Sequence, residues 1–510
     1  MRQLMLLLMA STVTAIGSKA PKDTDPIIVV GGGLAGLSAT IEALEHGANK
    51  VYLVDKEKDL GGNSAKATSG INACGTETQK NLGIEDSSDK FYTDTMNAGD
   101  RENDPNLVDG LVRNSESAVE FLIGKGVDLT AINLCGGHSV PRTHWLPSPK
   151  EGKPLPVGVA IIRALKKYVT EYKEKNPDKL EILTETHVLG LVTWNEYVTG
   201  IRYKTSSNDN ITELSGKAVI LTTGGFSADR SDTSLLSQYG PQLTSLPTTN
   251  GAFATGDGVK MASAMGAALV GMDRIQVHPT AFVDPKVPNA PTKFLAAEAL
   301  RGKGALLINE KGARFADELG RRDYLTRKIN ENCAKDEAAG LPVAFMVLND
   351  EVADGFGIPA FNFYARIKGF FKEYANVEAT KDDFNAETLR KTLEDHNEHY
   401  QKALDKKSYK DEYGKHVFPV KFDVDKPLYI AKITPAIHYT MGGLKIDRNA
   451  FVFSEFMDKP FKGLLAAGEA SGGVHGGNRL AGNSLLECVV YGRIAGQSAA
   501  KISYAGHQEL

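Results

Sequence analysis

The feature that most constrains the fold of this chain is a glycine-rich turn between a short apolar strand and an alanine-rich helix. The segment Pro26–Val30 is rich in β-branched residues, and a second strand-like run, Val51–Val54, follows the helix. The turn has the spacing GxGxxG at Gly31, Gly33 and Gly36. This order predicts a dinucleotide-binding βαβ unit, because glycines let the backbone approach a pyrophosphate and the helix N-terminus supplies N–H groups.

Acidic residues and a second glycine-rich loop bear on which dinucleotide is bound. Asp55 ends the second strand, where a carboxylate accepts a hydrogen bond from a ribose hydroxyl of either NAD or FAD. The loop Gly61–Ser64 follows at once, where a flavoprotein's second loop crosses the pyrophosphate. Glu469, in the turn of GLLAAGEASGG, can hold a ribityl chain, and Asp257, in TGDG, offers a further contact. Together these motifs favour FAD.

Length and composition exclude several classes of protein. A chain of 510 residues is too long for one ordinary core, so we expect two domains. A hydrophobic fraction of 42% and a charged fraction of 24% are typical of a globular protein. The formal net charge of −4 gives no electrostatic basis for nucleic acid binding. The four cysteines form no CxxC pair, so no metal or iron–sulfur site is expected.

The two ends of the chain resemble targeting signals. Residues 1–17 contain one arginine, a short apolar run and then small residues, as a secretory signal peptide does. The apolar run is too short to span a membrane, so we expect no membrane span in the mature chain. The last four residues, 507–510, read HQEL and resemble an endoplasmic reticulum retention tetrapeptide. The expected location is the lumen of the endoplasmic reticulum, with the mitochondrion as the alternative.

Motifs along most of the chain resemble one enzyme family. They are IIVVGGGLAGLSA, GGNSAKATSGINA, GGHSVPRTH, TTGGF, ATGDG, QVHPT, EALRGKG, ELGRRD, TPAIHYTMGG and GEASGGVHGGNRLAGNSLLE. From Ile27 to about Ser503 the chain resembles the soluble fumarate reductases of the fumarate reductase/succinate dehydrogenase flavoprotein family. The resemblance implies an α/β fold with a discontinuous Rossmann-like FAD-binding domain, residues 24–272 and 438–506. An α+β clamp domain, residues 273–437, would be inserted into it and close over the substrate.

The resemblance also implies roles for individual residues. Arg322 corresponds to the proton donor, and Glu298 and Arg301 correspond to its proton relay. The fumarate contacts it implies are His278, His438, Arg479 and Gly482. The FAD contacts it implies are Gly31, Gly33, Ala35, Gly36, Asp55, Gly62, Asn63, Ser64, Ser69, Gly70, Val188, Asp257, Tyr439, Glu469, Ser484 and Leu485. Taken singly, most of these residues could equally be structural, as an ion pair or a buried histidine; Arg321, beside the proton donor, has no counterpart and is expected to form a surface salt bridge.

Three positions depart from the family pattern. Asn63 stands where membrane-bound relatives carry the histidine that binds flavin covalently, so we expect noncovalent FAD and fumarate reduction as the working direction. Ala297 replaces a threonine of bacterial relatives, which removes one hydroxyl from the substrate site. Tyr439 stands where a second histidine can follow the first. The chain carries no haem or FMN segment, so we expect a diffusible electron donor, either reduced flavin or NAD(P)H.

Two other functions stay open at this stage. Urocanate reductase, ketosteroid dehydrogenase and aspartate oxidase use the same scaffold, so the substrate could be another unsaturated carboxylate. Alternatively, the chain could be an FAD-binding electron-sink partner of oxidative protein folding. The set of His278, His438 and Arg479 favours a symmetric dicarboxylate, because each end of such a ligand needs its own donors.

Overall fold

The computed structural model describes residues 20–147, 155–406 and 408–504. The predicted signal peptide, residues 1–17, and the predicted retention tail, residues 507–510, lie outside the described residues.

The described part of the chain begins with a strand, a helix and a second strand, and it ends with a run of strands followed by one long helix. The strands are β1 Ile27–Val30, β2 Val51–Val54, β3 Ile71–Asn72, β4 Ala131–Asn133, β5 Thr143–Trp145, β6 Leu180–Leu183, β7 Thr186–Trp194, β8 Tyr197–Thr205, β9 Asn208–Ser215, β10 Ala218–Leu221, β11 Leu269–Val270, β12 Ile275–Phe282, β13 Leu306–Ile308, β14 Lys335–Asp336, β15 Leu341–Pro342, β16 Ala344–Leu348, β17 Phe371–Tyr374, β18 Leu428–Thr440, β19 Gly443–Lys445, β20 Phe451–Phe453, β21 Pro460–Ala466 and β22 Ser471–Gly472. The α-helices are α1 Leu34–Glu45, α2 Glu77–Asn81, α3 Ser88–Ala98, α4 Pro105–Arg113, α5 Ser115–Gly124, α6 Val157–Lys175, α7 Leu235–Tyr239, α8 Asp257–Ala264, α9 Glu298–Gly302, α10 Arg322–Asn332, α11 Asp350–Phe356, α12 Ile358–Asn362, α13 Ala386–Asp405 and α14 Asn483–Lys501.

The largest sheet has the strand order β6-β2-β1-β10-β21-β8-β7. Its central strand, β1, has the sequence IIVV and is buried throughout, as a strand covered by helices on both faces must be. β1 pairs in parallel with β2 and β10, which confirms the predicted βαβ unit. β21, which comes from the last part of the chain, pairs in parallel with β10. Two separate segments therefore complete one Rossmann-like domain, as predicted.

Helices α1 and α14 pack against each other closely enough to require glycine. A Cβ added to Gly492 would lie 2.5 Å from the carbonyl oxygen of Ala35, and one added to Gly496 would lie 2.4 Å from that of Ala39. Such contacts are too short for any side chain, so only glycine lets the helices approach this far. The first turns of α1 are thereby held against the middle of α14.

The inserted clamp domain has a sheet and a core of its own. Its strands run β12-β18-β16-β13, with β17 also paired to β18, and all of these pairs are antiparallel. Its hydrophobic core, from Phe282 to Ile433, is distinct from the core of the FAD-binding domain. β18 continues across the predicted limit at residue 437 and ends at Thr440, so the exact domain limits stay predictions.

The chain enters and leaves the clamp domain along one pair of strands. Ile275, at the start of β12, pairs with Thr440, at the end of β18. The same pair carries His278 on β12 and His438 on β18. Among the described residues no helix is long and apolar enough to cross a membrane, and the four cysteines are buried and free.

Candidate active site

A cavity of about 1130 Å³ lies between the FAD-binding and clamp domains. Its wall contains the following predicted FAD contacts: Gly31, Gly33, Ala35, Asp55, Gly62, Asn63, Ser64, Ser69, Gly70, Val188, Asp257, Tyr439, Glu469, Ser484 and Leu485. Gly36 is not part of that wall. A Cβ at Gly36 would lie 1.8 Å from the carbonyl oxygen of Gly31, so this glycine serves the close packing of the turn rather than contact with a ligand.

The turn before α1 is built to receive an anion. The helix begins after Gly33, which has no side chain to cap it, so a pyrophosphate can approach the N–H groups of its first turn. Gly31 has φ of +108°, and a Cβ there would lie 2.3 Å from the carbonyl oxygen of Thr222. Ser64, from the second glycine-rich loop, accepts a hydrogen bond on Oγ from the N–H of Leu34 at 3.3 Å. The two loops therefore meet where the phosphates of FAD would lie.

The carboxylates near this turn are held by specific partners. Asp55 accepts hydrogen bonds from the N–H of Gly32 at 2.6 Å and of Glu57 at 2.8 Å, and burial raises its pKa. Asp257 is engaged by the ammonium of Lys56 at 2.7 Å. Asp55 is therefore oriented as a ribose acceptor, whereas Asp257 is already neutralised by a lysine that the sequence motifs did not single out.

Asn63 and Glu469 also line the cavity. The Oδ1 atom of Asn63 accepts a hydrogen bond from the N–H of Gly251 at 2.9 Å, which fixes the second loop against the segment leading to Phe253. Glu469 accepts from the N–H of Thr440 at 2.9 Å, and burial raises its pKa to about 7. The glycine cradle, the uncapped helix and these polar groups together fit FAD.

The two predicted histidines lie side by side on the strands that join the domains. The rings of His278 and His438 are 5.1 Å apart and meet edge to face. His438 lines the cavity and its Nδ1 bonds the hydroxyl of Thr249 at 2.7 Å. His278 lies behind that wall; its Nδ1 lies 3.2 Å from both the backbone nitrogen and the carbonyl oxygen of Thr280. Burial, with Arg322 nearby, keeps the pKa of both rings well below the usual value, so both are neutral donors.

Arg322 begins helix α10 and is held by two side chains. It donates to Glu298 from Nε at 3.2 Å and from Nη2 at 3.1 Å, and to Gln276 from Nη1 at 2.7 Å. Arg301 donates to the carbonyl oxygen of Glu318 at 2.6 Å and lies 3.8 Å from Glu298. The structure thus brings together the three residues predicted to deliver a proton, and Arg322 itself lines the cavity.

The charge state of Glu298 follows from this arrangement. Burial alone would raise the pKa of Glu298, but the two guanidiniums outweigh it and lower the pKa to about 2. Burial, opposed by Glu298 and reinforced by the positive charge of Arg322, lowers the pKa of Arg301. The resting site therefore contains one carboxylate between two guanidiniums.

Arg479 faces the same cavity from the FAD-binding domain. Its guanidinium carbon lies 4.5 Å from the ring centroid of Tyr439. Burial and the positive charge of Arg322 lower the pKa of Arg479 to about 10. Gly482, also in the wall, has φ of +82° and precedes α14, where a Cβ would lie 2.2 Å from the amide oxygen of Asn72.

Several buried nitrogens of the site have no hydrogen-bond partner among the described residues. They are Nε2 of His278, Nε of Arg479, and Nε and Nη2 of Arg301. Buried donors are normally paired, so unpaired ones gathered at one site indicate a ligand rich in acceptors or bound water.

Sequence reasoning missed some of the residues that complete the site. Gln276 stands two residues before His278 on β12 and binds Arg322. Thr249 binds His438, and the N–H of Gly136 donates to Glu298 at 2.9 Å. Gln276 and Gly136 lie inside quoted motifs, QVHPT and GGHSVPRTH. The polar side chain of Gln276, two residues before His278, was a signal that could have identified it, whereas Gly136 acts through its backbone N–H and gave no such signal.

Comparison with known proteins agrees with this geometry. The family described as "FAD binding domain" matches residues 26–485. The chain is 39% identical over 483 residues to "Fumarate reductase" of Schizosaccharomyces pombe, covering 93% of this chain and 89% of that protein. It is 36% identical over 482 residues to "Fumarate reductase 1" of Saccharomyces cerevisiae, covering 93% of this chain and 98% of that protein.

One solved structure gives the same assignment, and a second shares the fold. The open conformation of a flavocytochrome c3 fumarate reductase matches with a TM-score of 0.73 and 31% identity, covering 98% of this chain and 80% of that chain. A 3-ketosteroid-Δ4-(5α)-dehydrogenase matches with a TM-score of 0.68, 96% of this chain and 99% of that chain, but at 23% identity it shows the fold alone. The chain belongs to the fumarate reductase flavoprotein family and is an FAD-dependent oxidoreductase that acts on CH–CH groups.

Proposed function

We propose that the protein reduces fumarate to succinate, with electrons from a diffusible donor such as reduced free flavin. The observation that carries this proposal is the convergence of Arg322, Arg479 and His438 on one cavity wall, with His278 directly behind it. The relatives named as fumarate reductases support the same substrate.

The electrostatics of the cavity favour a dianion. The carboxylate of Glu298 lies within ion-pair distance of Arg322 and Arg301. No described carboxylate lies within 4.0 Å of the guanidinium of Arg479, so three buried guanidiniums have one carboxylate partner between them. Buried guanidiniums without counter-ions are costly, so a ligand with two negative charges is stabilised here. A planar guanidinium also binds a carboxylate with two parallel hydrogen bonds, which suits Arg479 to one end of fumarate.

The neutral histidines suit the substrate's carboxylates in another way. A neutral imidazole donates one hydrogen bond without adding charge. His278 and His438 can therefore orient a carboxylate, while the arginines supply the positive charge that attracts it. Both ends of a dicarboxylate then have donors, and the alkene between them is fixed. Bound FAD would supply a hydride from N5 to one alkene carbon.

Arg322 is the group positioned to protonate the other carbon. The balance requires one hydride and one proton for each fumarate, and the products are succinate and a guanidine that must regain its proton. Ordinary arginine keeps its proton. Here the positive charge of Arg301, the buried cavity and the negative charge developing on the alkene carbon together favour its release.

Glu298 can return the proton because its own pKa depends on Arg322. The positive charge of Arg322 is the largest of the influences that hold the pKa of Glu298 near 2. When Arg322 loses its proton that influence vanishes, so the proton affinity of Glu298 rises at that moment. A proton arriving by way of Arg301 then passes through Glu298 to Arg322. Because the pKa of Glu298 depends on the charge of Arg322, Glu298 takes up a proton only after Arg322 has given its proton to the substrate.

A diffusible flavin donor is supported by the aromatic wall of the clamp domain. Phe294, Phe356, Phe363 and Tyr364 line the cavity, and Phe294 is 45% exposed. A planar ring system stacks well on such side chains.

We infer noncovalent FAD from Asn63, whose amide cannot form the covalent link that a histidine forms. We infer a lumenal location from the sequences at the two ends of the chain.

The test is a stopped-flow experiment on the holoenzyme. The bound flavin is reduced without oxygen and then mixed with fumarate, urocanate or oxaloacetate. We expect fumarate to restore the oxidised spectrum at least tenfold faster than the others. Reoxidation by urocanate alone, or by none of the three, contradicts the proposal. Mixing the oxidised enzyme with reduced FMN or NADH in the presence of fumarate then distinguishes the donors.

A further inference from the structure

The neighbour of the proton donor, Arg321, makes a contact between the two domains. Its Nη1 and Nη2 donate to the two oxygens of Asp100 at 2.6 and 2.9 Å. Arg321 belongs to the clamp domain, whereas Asp100 lies in the loop after α3 of the FAD-binding domain. Asp323, on the same helix as Arg322, accepts hydrogen bonds from Arg321 at 3.1 and 3.2 Å and so fixes the orientation of the Arg321 side chain toward Asp100.

The loop that carries Asp100 is fixed to the segment that carries Arg479. The N–H of Gly477 donates to the carbonyl oxygen of Gly99 at 2.9 Å. The side chain of Asn478 donates to the carbonyl oxygen of Ala98 at 3.3 Å. Asp100 therefore moves together with the backbone immediately before Arg479.

The loop has an unusual backbone at this point. Asp100 and Arg101 have φ of +56° and +61°, in the left-handed region that costs energy for residues other than glycine. Aspartate tolerates this region better than most residues because its short side chain can bond locally. The loop thus presents the carboxylate of Asp100 toward the clamp domain in a fixed direction.

A second, buried set of hydrogen bonds links Arg322 to the segment that carries Arg479. The amide of Gln276 donates to Asn478 at 2.9 Å and to the carbonyl oxygen of Arg479 at 3.2 Å. The amide oxygen of Gln276 accepts from Arg322 at 2.7 Å. The buried path through Gln276 and the exposed path through Arg321 therefore link Arg322 to the segment of Arg479 from two sides.

We propose that Arg321 is a positioning residue whose ion pair with Asp100 closes the clamp domain and sets the distance between Arg322 and Arg479. This inference rests on the proposed function for its effect on fumarate, although the contact between domains can be tested without turnover. Arg321 is not among the residues that line the cavity. It acts through its covalent neighbour, the first residue of α10.

The expected effect is modest because the pair is partly exposed. The side chains of Arg321 and Asp100 are 36% and 49% exposed, so water and salt screen the attraction. Breaking such a pair is expected to lower kcat/KM for fumarate about two- to five-fold, the range typical of exposed ion pairs with good geometry. The effect should fade as salt is added, because screening already weakens the pair in the wild type.

The first experiment is a double-mutant cycle with Arg321→Gln and Asp100→Asn, which removes each charge; asparagine also tolerates the left-handed backbone. Each single variant should lower kcat/KM equally, the double variant should be no worse than either, and all should match the wild type at high salt. Arg327→Gln is the matched control, because Arg327 is exposed on the same helix and pairs with Glu331 within it. Losses that multiply in the double variant, single variants equal to the wild type, or a lower content of bound FAD overturn the proposal.

The second experiment follows closure without turnover. Trp145 of the FAD-binding domain lies 6.1 Å from Phe356 of the clamp domain, measured between ring centroids. With Trp194→Phe in the background, Trp145 is the single tryptophan. In the ligand-free holoenzyme, Arg321→Gln should shift its emission to the red, as salt should in the parent. An unchanged emission overturns the proposal that the Arg321–Asp100 ion pair closes the clamp domain. A shift in an enzyme that does not reduce fumarate overturns only the proposed substrate.

Discussion

Replacing Arg322 with glutamine tests the proton donor most directly. Glutamine keeps part of the reach of arginine but has no proton that it can transfer to carbon. Three hydrogen bonds of Arg322 are lost or weakened, two to Glu298 and one to Gln276. We expect fumarate-dependent reoxidation of the reduced flavin to slow by about 10²- to 10⁴-fold, the usual contribution of a positioned general acid.

The same change leaves Glu298 without its main partner. Its pKa near 2 corresponds to roughly 3 kcal/mol of stabilisation of the ionised form. Removing one member of a buried ion pair typically costs about 3–5 kcal/mol of stability. The Arg322→Gln protein should therefore unfold at lower denaturant concentration, and slower turnover could then come from disorder rather than from a missing acid.

A double variant separates the two effects. Arg322→Gln with Glu298→Gln removes both charges, so much of the lost stability should return while the slow reoxidation stays. Stopped-flow absorbance gives the rate, urea unfolding gives the stability, and perturbation of the oxidised flavin spectrum gives succinate binding. If Arg322→Gln reoxidises with fumarate within tenfold of the wild type, Arg322 is not the proton donor. If the double variant regains both stability and rate, the role of Arg322 is structural.

Three further outcomes are expected. Burial raises the pKa of Glu469 from 4.5 to about 7, so between these pH values the folded apoprotein holds a proton there that the unfolded chain has lost. The stability of the apoprotein to urea should therefore fall as pH rises from about 5 to 8. Glu469→Gln should reduce that fall. Acid precipitation should release all of the FAD into the supernatant, since Asn63 offers no covalent link; yellow colour retained in the pellet would contradict this. A reporter carrying residues 1–17 and 507–510 at its two ends should stay in the endoplasmic reticulum, and one without the last four residues should be secreted, as immunofluorescence and assay of the medium would reveal.

The parts of the fold that follow from local chemistry could be predicted from the sequence. The run IIVV and the glycines after it define β1 and the N-terminus of α1 within a few residues of chain, and both occur where expected. The grouping of Glu298, Arg301 and Arg322 was also predictable, because all three fall in motifs whose place in the site the resemblance implied, and the structure brings them together. Asp257, predicted as an FAD contact, lies in the cavity wall, but its ion pair with Lys56 was not predicted.

The remaining contacts depend on chain segments that are distant in sequence. Asp100 and Arg321 are 221 positions apart, and no local pattern around either residue indicates the other. Gln276 receives its role from Asn478 and Arg322, which come from different domains. Such partners are fixed by how the clamp domain sits on the FAD-binding domain, and the sequence of neither segment contains that information.

The split of the FAD-binding domain has a consequence for how the protein is synthesised. β10 ends at Leu221, but its partner β21 begins only at Pro460, after the whole clamp domain has been translated. The clamp core is contiguous in the chain and can condense first, whereas β10 waits with one edge unpaired. An unpaired apolar strand is prone to associate with other chains. The nascent protein should therefore depend on chaperone protection, and on rapid translation of the inserted domain, more than its well-packed final sheet would suggest.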